Sequence, residues 1–238
     1  MKQCSKILKL PEIIGHRGAI GHWKIPENTC ESVIKAYQLG AGGVEFDIQM
    51  TKDKQFVIYH DHILDTVSNG FGSIHKMNLH EITKLKLNSI MDNNIYHIPS
   101  ISDIMKITTK LNLFANIEIK SYCDSYDYDK ELVHYLTKYL LDNHSINLSR
   151  ILVSSFSPRI INLLDSHSKI NYAPIDCNYN QLISLPSAFV YHASHLNKSK
   201  ISMTKKLNRP LIVYNVFGKQ HAAKLFELGA SSVIVDIF

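Results

Sequence analysis

The chain contains no uninterrupted apolar run approaching the about 18 residues that a membrane helix needs, so no membrane span is expected. Its first residues, MKQCSKILKLPEIIGHRG, lack an apolar core ahead of a small-residue cleavage site. A secretory leader is therefore not expected, and the expected location is the cytoplasm. Cysteine is sparse: Cys4, Cys30, Cys123 and Cys177 lie far apart and form no C-x-x-C pair. That spacing argues against a disulfide framework or a zinc ribbon. Lysine and arginine form no dense run and no patch interleaved with aromatics, which argues against nucleic acid as a partner. The balance is only mildly basic, with net charge +5 and a pI near 8.9. Such a balance suits anionic small molecules, phosphates among them. No internal repeat and no low-complexity segment occurs. Nothing in the sequence specifies an oligomeric state.

What is present is ordinary globular material: 238 residues, 45% apolar and 20% charged. That length fits one sizeable domain or two small ones. Short apolar strands alternate with helical stretches, the pattern of a parallel α/β sheet. Strands are expected at Glu12–His16, Gly43–Gln49, Gln55–His60, Leu113–Ile119, Arg150–Ser155, Asn171–Ile175, Ala188–His192, Pro210–Val216 and Ser232–Asp236. Helical pieces such as Cys30–Leu39, Lys130–Leu141 and Lys219–Leu228 fall between them. Nine strands are one too many for an eight-stranded barrel. Only Met50–Lys54 separates the second from the third, too short for a parallel crossover, so those two must form an antiparallel hairpin. Eight parallel strands remain, and the expected fold is a (β/α)₈ TIM barrel. The chain is expected to be a single domain over 1–238. Residues 61–98 form a small insertion at the barrel mouth, with a short helix around Leu79–Leu87. The next barrel helix should start at Ser100, which has capping-box spacing to Asp103.

Barrel enzymes place their chemistry at the C-terminal ends of the strands. The first strand ends at His16-Arg17-Gly18. In the second, GVEFDIQ, Val, Phe and Ile alternate with Glu45, Asp47 and Gln49, so two carboxylates share one face. The strand LFANIEIK brings Glu118 and Lys120 to its end, and the hairpin returns His60 beside the second strand. Like charges so close repel unless a cation lies between them. Glu45, Asp47 and Glu118, with no sulfur or nitrogen among them, suit one hard divalent cation, Mg²⁺ or Ca²⁺. With that cation and a phosphodiester two negative charges remain, which Arg17 and Lys120 offset. His16 and His60 are two imidazoles available for proton transfer near neutral pH. His60 is read as facing inward, and His62 is left without a role.

The order H-R-G (16–18), P-E-N-T (26–29), E-x-D-x-Q-x-T-x-D (45–53), H-D (60–61), N-I-E-I-K (116–120), V-S-S-F-S-P (153–158) and G-A-S-S-V-I-V-D (229–236) resembles the glycerophosphodiester phosphodiesterases. The resemblance implies hydrolysis of glycerophosphodiesters to glycerol 3-phosphate and an alcohol. It implies Glu45, Asp47 and Glu118 as ligands of Mg²⁺ or Ca²⁺, His16 and His60 as acid and base, and Arg17 and Lys120 on the phosphate. It also implies Glu27 as a hydrogen-bonding support, and the insertion after His60 as a cover for the glycerol end of the substrate. The family usually carries W-T-V-N near its end. Here the matching positions read Tyr214-Asn215-Val216-Phe217, so an aromatic remains at Tyr214 while the last polar residue becomes Phe217. Two alternatives stand beside this reading. One is a related barrel lyase or phospholipase D-like enzyme acting on lysolipids, the other a catalytically silent barrel that binds phosphodiesters.

Overall fold

A computed structural model describes residues 8–20, 24–87 and 94–237. Eight parallel strands form the barrel wall: β1 (Ile13–Gly15), β2 (Gly43–Met50), β6 (Phe114–Ile119), β7 (Ile151–Ser155), β8 (Tyr172–Pro174), β9 (Phe189–His192), β10 (Leu211–Phe217) and β11 (Ser232–Ile237). The sheet runs in the order β8-β7-β6-β2-β1-β11-β10-β9, and a parallel bridge from Ile175 to Val190 closes it. The ninth strand, β3 (Phe56–Ile58), pairs antiparallel with β2, Ile48 opposite Ile58, as the short connection requires. It ends two residues earlier than expected, so His60 sits on the loop beyond the strand. The fold is thus the expected (β/α)₈ barrel with a small insertion after the hairpin.

Two apolar layers hold it. Val44, Phe46 and Ile48 of β2 point outward against Val33 and Ala36 of α1 (Cys30–Gln38) and Ile101 and Ile104 of α3 (Ile101–Lys110). Inside the barrel, Ile14, Phe114, Leu152, Ile175, Val190, Ile212 and Ile234 fill the floor. Alternation along each strand supplies both layers, one residue out and the next in. The outer helices start where capping chemistry dictates. Thr29 and Ser32 form a capping box on α1, Ser100 and Asp103 the expected one on α3. Ser125 caps α4 (Tyr126–Asp142), which begins a turn before the predicted Lys130. Ser157 caps α5 (Pro158–Leu164) with proline at its first position. α6 (Lys198–Lys206) and α7 (Gly218–Leu228) complete the ring, and α7 stops at Gly229 in the left-handed region (φ 110°).

The segment after β3 has its own small core of Val57, Tyr59, Leu64, Ile74, Ile82 and Ile98. The helix predicted around Leu79–Leu87 is shorter, α2 (Leu79–Ile82), opened by an Asn78–Glu81 capping box. Beyond it, the backbone bonds across a strand pair: β4 (Lys86–Leu87) lies antiparallel to β5 (Tyr96–His97). Local helical spacing lost to pairing with a distant segment that satisfies the same backbone groups. Among the described residues, no helix is long and apolar enough to cross a membrane. The described cysteines, Cys30, Cys123 and Cys177, are unpaired.

Candidate active site

A cavity of about 230 Å³ opens at the C-terminal ends of the strands. Its polar half carries His16, Arg17, Glu45, His60, Glu118 and Lys120, and its apolar half Phe156, Ile175, Val190, Tyr214 and Ile234. Asn116, on the floor between them, completes the lining. Asp47 lies behind the polar half, 1% exposed.

The acidic group follows from strand register. Glu45 and Asp47 are two apart on β2 and share its inner face, while Asp47 stands opposite Glu118 on β6. One oxygen from each of the three lies within 4.8 Å of the others. Cations and donors surround them. Lys120 Nζ stands 3.3 Å from Asp47 Oδ1 and against Glu118 Oε1. Arg17 Nε is 3.2 Å from Asp47 Oδ2, and the Arg17 backbone N–H donates to Glu45 Oε2 at 2.9 Å. Asn28 grips Asp47 twice: its Nδ2 donates to Oδ2 at 2.8 Å, and its Oδ1 accepts from the Asp47 N–H at 3.1 Å. Burial pushes Glu45 up to about 8 and Glu118 up to about 7, each also raised by the charge of Asp47. Burial acts on Asp47 in the same sense, but Lys120 and Arg17 outweigh it and hold it below the ordinary aspartate value. In return, Asp47 raises the pKa of both cations despite their burial.

This half is under-satisfied as it stands. Glu45 Oε1 is buried without a partner, and the buried Asp47 Oδ1 and Glu118 Oε1 share the single ammonium of Lys120. A buried oxygen without a donor is costly, and three converging carboxylates, with no sulfur or imidazole nitrogen among them, fit a hard oxygen-seeking divalent cation. The backbone around them is also held in an uncommon state. Arg17 adopts φ 47°, a left-handed conformation rare for a side chain of its size. Gly18 follows at φ 86°, where a Cβ would meet Ser32 at under 3 Å, so α1 packs against that turn only through glycine.

Both predicted histidines line the cavity, and each rests its Nδ1 on a carboxylate. His16 Nδ1 contacts Asp236 of β11, while its Nε2 stands 3.8 Å from Glu45 Oε2. Burial disfavours the His16 cation, but Asp236 and Glu45 more than compensate, and its pKa lies above the ordinary value. His60 Nδ1 pairs with Asp61 Oδ1 at 2.7 Å, and Asp61 Oδ2 accepts from Thr66 Oγ1 at 2.6 Å. The His60 loop is pinned from both sides. Gln49 Nε2 donates to the carbonyls of Tyr59 and Asp61, at 2.9 and 2.8 Å, and the Tyr122 hydroxyl donates to that of His60. Carboxylates on both Nδ1 atoms leave both Nε2 atoms for the cavity. His62 is turned away and stacks on Tyr122, ring centroids 4.9 Å apart.

Glu27 sits on the outer side of Arg17 and accepts from its Nη1 at 2.6 Å, outside the cavity lining. Tyr214 stands across the cavity from the acids. Sequence reading passed over Asn28 and Asp236. Asn28 lies within P-E-N-T, and Asp236 shares the inward alternation of V-I-V-D with Ile234, yet neither pattern names its partner.

A model of the glycerophosphoryl diester phosphodiesterase family matches residues 16–237. The chain belongs to that family. A glycerophosphodiester phosphodiesterase of Caldanaerobacter subterraneus is 27% identical over 94% of this chain and 93% of its own length. Among solved structures, an Oleispira antarctica phosphodiesterase in complex with the product sn-glycerol-3-phosphate superposes with a TM-score of 0.78 at 22% identity, covering 95% of this chain and 93% of that one. A glycerophosphodiester phosphodiesterase of Parabacteroides distasonis gives 0.77 at 19% identity, covering 94% and 92%. This member of the glycerophosphoryl diester phosphodiesterase family is thus a phosphoric diester hydrolase with the barrel of its relatives.

Proposed function

We propose that this phosphodiesterase hydrolyses glycerophosphodiesters in the cytoplasm to glycerol 3-phosphate and an alcohol, with one divalent cation and a pair of histidines. The observation that carries the reading is the convergence of three buried carboxylates and two imidazoles at one cavity. Glu45, Asp47 and Glu118 would hold Mg²⁺ or Ca²⁺, which when bound supplies positive charge beside the phosphoryl oxygens. Arg17 and Lys120 bind the phosphate and offset the charge that builds on phosphorus. One imidazole Nε2 takes the proton from the attacking oxygen. As the phosphorus–oxygen bond to the alcohol breaks, the other Nε2 gives a proton to the departing oxygen. Water is one attacking oxygen, and the glycerol 2-hydroxyl is the other, with a cyclic phosphate then hydrolysed. Residues 61–98, of which 88–93 lie outside the described residues, are read as part of the same catalytic domain and as a cover for the glycerol end.

The test is a panel of glycerophosphodiesters incubated with the protein before and after EDTA, then with Mg²⁺ or Ca²⁺ restored. Release of glycerol 3-phosphate that chelation abolishes and the cation restores is expected. Activity indifferent to chelation removes the metal from the reading. A cyclic phosphate as the final product makes the enzyme a lyase.

A further inference from the structure

The apolar half of the cavity contains one polar device, which the reaction as proposed leaves unused. Tyr214 of β10 lines the cavity, and its hydroxyl donates to Asp176 Oδ2 at 2.7 Å. Asp176 follows β8 in the left-handed conformation, φ 50°. Its other oxygen accepts from the backbone N–H of His192 at 3.1 Å, and His195 Nδ1 lies 3.2 Å from Oδ2. Rings lock the tyrosine from two sides: His192 meets it edge-on at 5.0 Å between centroids, Phe156 at 6.2 Å. Phe217, at the end of β10, is half exposed and contributes nothing to the lining. The carboxylate behind the aromatic wall is that of Asp176, on the loop just beyond β8.

A phenol has one proton and two acceptor positions. Asp176 accepts the hydrogen bond that this proton makes, and burial together with this hydrogen bond raises the Tyr214 pKa, so the proton stays on the phenol at working pH. What Tyr214 Oη can still offer the cavity is lone pairs. We propose that Asp176 is a positioning residue that makes Tyr214 Oη an acceptor, selecting substrates that place a hydrogen-bond donor, a hydroxyl or an ammonium, against the apolar wall. This inference rests on the proposed phosphodiesterase reading and adds to it the polarity of one substrate contact.

The experiment compares Tyr214→Phe, Asp176→Asn and their double variant with wild type. The substrates are glycerophosphoethanolamine, glycerophosphocholine and bis(4-nitrophenyl) phosphate, the last without hydroxyl or ammonium. Asp176→Asn keeps an oxygen for the His192 N–H but turns an amide donor toward Tyr214, reversing the phenol's hydrogen bond. Loss of one neutral hydrogen bond corresponds to a rise in KM of about 3- to 10-fold. That rise, with kcat nearly retained, is expected in both single variants, far larger for donor-bearing diesters than for bis(4-nitrophenyl) phosphate. The double variant should show no further rise. A penalty confined to glycerophosphoethanolamine identifies the ammonium as the donor, and an equal penalty on both glycerophosphodiesters identifies a glycerol hydroxyl. Variants that match wild type on all three substrates, or lose activity equally on all three, overturn the inference while the functional reading stands. A wild-type protein silent toward both glycerophosphodiesters overturns that reading and this inference with it.

Discussion

The two halves of the cavity are built on opposite principles. The apolar half continues the barrel interior, since Ile175, Val190 and Ile234 belong to the cluster that fills the barrel floor. There, substrate contact and fold stability draw on the same buried surface. The polar half opposes folding instead. Three buried carboxylates, two raised in pKa and one with an oxygen that has no partner, crowd two half-buried cations, and the turn beside them puts an arginine in the left-handed region. Such a cluster persists only where surrounding structure compensates, which is why strained, charge-dense groups mark sites of chemistry. Here strands β2 and β6 supply the rigidity: both are buried along their whole length and paired in register from Gly43 opposite Phe114 to Ile48 opposite Ile119.

The sharpest test of this contrast is removal of an imidazole. His16→Ala and His60→Ala should each lower kcat by about 10²–10⁴-fold on a glycerophosphodiester, with thermal unfolding showing a folded protein. Wild-type turnover in either variant would erase the functional difference between the halves. Asp236→Asn comes next. It preserves shape but removes the charge that sets the His16 tautomer, and kcat should fall by about 10²-fold. An unchanged kcat would reduce Asp236 to a packing partner.

Stability against pH probes the same half without substrate. Glu45 at about 8 and Glu118 at about 7 lie above the ordinary carboxylate value, so the folded state binds protons more tightly than the unfolded chain. Stability should therefore fall as pH rises through that range. His16, also raised, acts in the same direction, because its stabilising proton is lost as pH passes its folded pKa. Asp47 is depressed, so its contribution is lost only in more acidic solution, below that window. The melting temperature of metal-free protein should drop between about pH 5 and pH 8. Millimolar Mg²⁺ or Ca²⁺ should restore more of it at the upper pH than at the lower. A flat profile would mean that the acids are not strained together. The smallest effect belongs to the apolar half. Phe156 is half exposed, packs edge-on to Tyr214 and lies 5.5 Å beneath Lys120 Nζ. Phe156→Ala should raise KM by about 2- to 5-fold through lost ring contact, with a kcat close to wild type. A large kcat loss would show that the two halves are not separable.

Much of this was legible before any coordinates, because each barrel strand carries its own alternation. GVEFDIQ announces one dry and one acidic face, and the five-residue connection to the next strand forces a hairpin. Capping boxes at Thr29 and Ser100 are equally local, needing only residues three apart. The insertion was read less well. Its strand pair joins Leu87 to Tyr96, and such pairing depends on which segments meet rather than on the spacing within either one. Glu27 and Tyr214 were named, but their partners, Arg17 and Asp176, are not inferable from their neighbours in sequence.

The sequence by itself determined the barrel and its inventory of chemical groups, because periodicity, connection length and side-chain type are properties of short segments. Tertiary structure alone decided how those groups are tuned. It set Asp236 against His16 across 220 positions, turned Asn28 onto Asp47, and crowded three carboxylates onto one lysine and one arginine. It also placed Asp176, from the loop after β8, behind Tyr214 of β10. The charge state of a buried group depends on the desolvation and the partners that the closed barrel imposes, and those exist only once the strands stand side by side.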